Sequence, residues 1–130
     1  MVKQEKLVKY VWDLEKKDPD WRKSLKNFYR VDNVPPKVAK TLLTGQPNVN
    51  PEDRQNNSPR MKEMIELAEK NKGLLEGYVV AEESGRPDAR ISFDGMTIEA
   101  NERKAKQLKR LLQPDEFDNK GKNKWRMWWD

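Results

Sequence analysis

The clearest alternation of apolar and polar positions in the chain runs from Ala89 to Ala100, ARISFDGMTIEA. Ala89, Ile91 and Phe93 alternate with Arg90 and Ser92; Met96, Ile98 and Ala100 alternate with Thr97 and Glu99. A period of two is that of a half-buried strand. The period breaks once, at Asp94-Gly95, a dipeptide that tolerates the positive φ angles of a type I′ turn. The pattern therefore predicts a β-hairpin in which Phe93 faces Met96, Ile91 faces Ile98 and Arg90 faces Glu99, with every apolar side chain on one face. A two-stranded ribbon of this kind is not stable alone, so its neighbours must cover it.

The neighbours carry suitable patterns. Ser58-Pro59 is a cap and first residue for a helix whose apolar side is Met61, Met64, Ile65, Leu67 and Ala68, ending near Asn71-Lys72-Gly73. Leu74 to Glu83, LLEGYVVAEE, reads as a strand antiparallel to the first hairpin strand, joined to it by a loop of roughly five residues. Asn101 suits the cap of a helix over Glu102 to Gln113, with Ala105, Leu108, Leu111 and Leu112 as its buried side and Pro114 beyond it. The order from Ser58 is helix, strand, strand, strand, helix, and a three-stranded antiparallel sheet with both helices on its apolar face buries that face most simply. The tail KWRMWW puts Trp125, Met127 and Trp129 on one side if extended, or Trp125, Trp128 and Trp129 together if helical. So large an aromatic group is expected to dock, as an edge strand or against the N-terminal helices.

Before Ser58 the period is helical. Leu7, Val11 and Leu14 lie on one face of a helix over Val2 to Lys17; a second helix from about Pro19 to Tyr29 buries Trp21, Leu25 and Phe28; a third, Pro36 to Thr44, turns Val38, Leu42 and Leu43 inward with Gly45 as its C-terminal cap. QPNVNPEDRQNN, residues 46–57, has a single apolar residue and two prolines and reads as a linker or exposed loop. The expected organisation is a helical segment over 1–45, the loop over 46–57, and an αβββα unit with an aromatic tail over 58–130, of α+β class.

Composition narrows the chemistry. With 38% charged and 35% hydrophobic residues the core must be modest, but five Trp are too many for a disordered chain. The chain has no Cys and no His, which removes disulfides, thiolate chemistry, and the commonest general base and zinc ligand. There is no Gly-rich phosphate loop, Ser-centred elbow or metal-ligand spacing. Asp88 with Glu102 and Lys104 is superficially like the acid and lysine set of metal-dependent nucleases, but a helix beginning at Asn101 separates them. No enzyme activity, metal or cofactor is expected. No apolar run approaches the ~20 residues that span a bilayer, and the first 17 residues are charged where a signal peptide is apolar; a cytoplasmic protein without a membrane partner is expected.

Net charge is +5, with 12 basic against 8 acidic residues before Ser58 and 15 against 14 from there on. The strongest local concentration is the helix ERKAKQLKRLL, whose Arg103, Lys104, Lys106, Lys109 and Arg110 suit contact with the phosphates of DNA or RNA. The same residues also describe a solvated amphipathic face, which basic helices of soluble domains commonly show. The alternative is a protein-interaction or self-association module that grips its partner through Trp125, Trp128 and Trp129.

Overall fold

A computed structural model describes residues 10, 28–43, 50–54, 57–80 and 90–129. It is an α+β fold. In chain order, the described elements are β1 (Phe28–Val34), α1 (Pro36–Thr41), α2 (Met61–Lys70), β2 (Leu74–Val80), β3 (Arg90–Glu99), α3 (Glu102–Leu112), β4 (Glu116–Gly121) and β5 (Lys124–Trp128). The strands form one antiparallel sheet in the order β1-β2-β3-β5-β4. No helix among the described residues is long and apolar enough to cross a membrane.

The hairpin expected at Asp94-Gly95 is instead one continuous strand. β3 pairs with β2 on one side, and its residues 95–99 pair with β5 on the other. Gly95 lies opposite Glu76, while Phe93 lies opposite Gly77. Asp94 is thus an extra residue, a β-bulge. A bulge shifts the side-chain parity by one, as a two-residue turn does, so Ile91, Phe93, Met96 and Ile98 still share the core face. The face reading holds although the turn does not. Two tertiary contacts favour the strand. Asp94 is only 6% exposed, with its carboxylate taking hydrogen bonds from Arg30 at 2.8 and 3.2 Å. Gly95 lies so close to the neighbouring strands that a Cβ there would come within 2.9 Å of Glu76 Cγ and 3.0 Å of the Met127 carbonyl oxygen.

β1 is a second departure. Phe28 and Tyr29, expected at the end of a helix, begin a strand in which Tyr29, Val31 and Val34 are buried. Its pairing with β2 shifts between Val31 and Val34, next to Asn33 at φ 54°. The same i, i+2, i+5 spacing occurs at Ile91, Phe93 and Met96, and the same device produces it. The helix proposed before Tyr29, the one over Val2 to Lys17 apart from Tyr10, the cap at Gly45 and the loop after β2 lie outside the described residues.

The remaining elements follow their patterns with shorter bounds, and α2 starts at Met61 after Arg60, not at Pro59 after a Ser58 cap. α1 begins after Pro35 and buries Ala39; Leu42, just past its end, is also buried, and Val38 and Leu43 are partly so. α2 buries Met61, Met64, Ile65 and Ala68. Asn101 caps α3 through its side-chain oxygen, which accepts from the Lys104 amide at 2.8 Å. In the segment 50–54, the Asp53 carbonyl accepts from the Met61 amide at 2.8 Å, and the Asp53 carboxylate from the Ser92 hydroxyl at 3.2 Å.

The tail is extended, and it completes the sheet. β4 and β5 form the hairpin, turning through Gly121 at φ 136° and Asn123 at φ 56°. β5 lies inside the sheet and β4 forms its outer edge. Trp125, Met127 and Trp129 join the core that the three helices cover.

Candidate functional site

The sheet has two unlike sides, and each offers a candidate. Away from the helices, alternation leaves Arg30 and Asp32 of β1, Glu76 of β2, Thr97 of β3 and Arg126 of β5 around a cleft of about 430 Å³, with Lys120 at its rim. The charges are largely paired. Arg126 holds the Glu76 carboxylate with Nε and Nη2 at 2.7 and 3.0 Å, and reaches Glu116 with Nη1 at 3.2 Å. Its pKa is raised, first by the Glu76 hydrogen bond. Arg30, bound to Asp94, also lies 3.7 Å from Glu76. Such two-pronged pairs fix side-chain geometry, and they leave little free positive charge. Among the described residues no group of three or more acidic side chains could hold a metal.

Asp32 is the strained member of this face. Burial raises its carboxyl above the ordinary range, and Glu76 raises it further, against a weaker pull from Arg30. A carboxyl raised in the folded state binds its proton more tightly there than in the unfolded chain. Its ionisation therefore costs stability as pH rises through the folded-state value, and the penalty is absent in acid below the ordinary carboxylate range. Asp32→Asn should raise the urea midpoint at neutral pH, with the advantage fading in acid. A variant equally stable or less stable than the parent at neutral pH would contradict this environment.

On the helix side, α3 lies against the strands through Ala105, which is fully buried, and Leu108 and Leu112, which are partly so. Leu111, expected among them, is 76% exposed. At 100° per residue it falls about a quarter turn away from the line through Ala105, Leu108 and Leu112, on the flank that also carries Lys104. The other flank carries Lys106, Lys109 and Arg110, with Arg103 in line one turn earlier.

That second flank faces β4. Lys106, Lys109, Arg110, Gln113, Pro114 and Phe117 enclose an open cleft of about 490 Å³ whose lining contains three cations and no carboxylate. Phe117 is half-buried and stacked on Trp125, with ring centroids 5.2 Å apart and planes 17° apart. The Lys109 ammonium stands over the Phe117 ring, 5.2 Å from its centre. Lys106 has Glu102 at 3.3 Å, an exposed pair worth little in water. Among the described residues, Arg103, Lys104, Lys109 and Arg110 have no carboxylate within ion-pair distance.

Of the five basic residues read from the sequence, the cleft thus gathers three. Arg103 adjoins it and Lys104 faces away. Phe117, Gln113 and Pro114 were not singled out. The signal for Phe117 is its position as the lone apolar residue of DEFDNKGKN, which in hairpin register with KWRMWW puts it beside Trp125 and Met127.

The three tryptophans of the tail do not share a surface. Trp125 and Trp129 are 8% and 1% exposed, with indole N–H groups donating to the Ala100 and Leu112 carbonyls at 3.0 Å each. Trp128 points to the opposite side, with the Arg126 guanidinium 5.9 Å from its ring. Extended backbone separates neighbours in this way. No protein-family model, curated protein or solved structure matches the chain.

Proposed function

We propose that the protein binds nucleic acid, without chemistry on it, through the cleft between α3 and β4. The observation that supports this reading is the lining itself: Lys106, Lys109 and Arg110 converge with no carboxylate among them, beside a half-buried aromatic ring. In a chain with 22 acidic residues a cleft of this size without one is a local excess of positive potential. Phosphate oxygens are the ligands that release counterions on meeting such a group. The opposite cleft offers less to a polyanion, because its guanidiniums are already neutralised by Glu76, Asp94 and Glu116.

Three phosphate contacts imply a slope of log affinity against log salt between about −2 and about −3. Fluorescence anisotropy of a labelled mixed-sequence oligonucleotide, titrated at several salt concentrations, measures it. Replacing Lys106, Lys109 and Arg110 together by alanine should flatten the slope and weaken low-salt binding by at least about tenfold. These side chains are exposed, so the variant should remain folded. Binding that ignores salt, or survives the triple substitution unchanged, would overturn the reading.

A further inference from the structure

Resting on that reading, we propose that the strand bound in the α3–β4 cleft is single-stranded, with Phe117 as the platform on which one base stacks and Lys109 as the group that makes way for it. Trp125 stacks against Phe117 at 5.2 Å and 17° and is itself buried and anchored through its indole N–H to Ala100. The ring is therefore held in a fixed plane at the cleft wall. Lys109, an exposed side chain on a flexible stem, stands over the ring. Lys109 and Phe117 both line the cleft, so Lys109 covers the ring from the cleft side.

Lys109 is a cover that a nucleotide can exchange. An exposed cation–π contact is weaker than a base stacked on an aromatic ring, and the released ammonium gains a phosphate. One nucleotide then satisfies both: its base takes the place over Phe117 and its phosphate takes the displaced Lys109, with Lys106 and Arg110 beside it. Gln113, at the turn leaving α3 with φ 49°, lines the same cleft and carries an amide able to meet a base edge. Bases paired inside a duplex cannot reach a ring recessed between a helix and a strand. Duplex could meet only the rim cations.

The test compares a short labelled single strand, as DNA and as RNA, with the duplex of the same length at the same low salt, using anisotropy. The parent protein should prefer the single strand by about tenfold or more, and Phe117→Ala should remove most of that preference while leaving duplex binding in place. Phe117→Tyr, which keeps the ring, should retain the preference; circular dichroism establishes that each variant is folded. If Phe117→Ala does not fold, the comparison rests on Phe117→Tyr and on Lys109→Ala, which uncovers the ring and should keep the preference while weakening both forms. Equal affinity of the parent for both forms would overturn the single-strand proposal and leave the phosphate reading standing. So would a folded Phe117→Ala with the parent's preference intact, or loss of preference in folded Phe117→Tyr or Lys109→Ala. Binding of neither form would overturn both.

Discussion

Gly77→Ala is expected to cost about 3 kcal/mol or more, enough to remove much of the stability of a chain this size. Gly77 lies in β2 between Val31 of β1 and Phe93 of β3, beside the bulges in both neighbours. A Cβ at this position would come within 2.1 Å of the Ser92 carbonyl oxygen and 2.7 Å of Phe93 Cα. Both are backbone atoms of β3, so no side chain can swing away to relieve the contact. β3 would have to withdraw, and with it the cross-strand contact between Arg30 and Asp94. Urea denaturation of the purified variant should show a much lower midpoint, or the variant should fail to accumulate as folded protein. An unfolding free energy within about 0.5 kcal/mol of the parent's would mean that the strands do not meet in this register.

Trp129→Ala is expected to be comparably damaging, at about 3 to 5 kcal/mol. The side chain is 1% exposed, its backbone N–H donates to the Asp94 carbonyl at 2.8 Å, and its indole N–H donates to the Leu112 carbonyl at 3.0 Å. It therefore ties the bulge of β3 to the last turn of α3. Removing it leaves a cavity the size of an indole and a helix-terminal carbonyl without its donor. Trp128, one residue earlier, lies half-buried on the other face of the sheet, so Trp128→Ala should cost only about 1 kcal/mol. Denaturation of the two variants side by side tests the face assignment. Equal losses, or a larger loss at Trp128, would contradict it.

Local patterns made most of the second half legible. α2 and α3 follow from apolar residues at helical spacing and from Asn101 as a cap, and β2 from a Tyr- and Val-rich run too short for a helix. The hairpin reading of residues 89–100 failed for an instructive reason. Apolar residues at i, i+2, i+5 and i+7 record a change of parity, and a two-residue turn and a one-residue bulge produce the same change. Asp94-Gly95 favours the turn locally. What decides for the bulge is Arg30, 64 residues away, together with β5, which needs residues 95–99 as a partner. β1 was missed because Trp21, Leu25 and Phe28 extend a helical period to the edge of Tyr29, whereas Tyr29, Val31 and Val34 carry the bulged-strand spacing. Of the candidate site, the cations of α3 could be read from the helix alone. Phe117 could not, because its role depends on β4 lying alongside that helix.

On the proposed function, nucleic acid meets the α3–β4 cleft and not the charged cleft across the sheet. Amide chemical-shift mapping of isotopically labelled protein, titrated with an unlabelled mixed-sequence single strand at low salt, tests it most directly. The largest perturbations should fall on Lys106, Lys109, Arg110, Gln113 and Phe117, with the indole N–H of Trp125 responding through its stack on Phe117, while Arg30, Asp32 and Glu76 stay still. Perturbations centred on Arg30, Asp32 and Glu76, or none at saturating oligonucleotide, would contradict it.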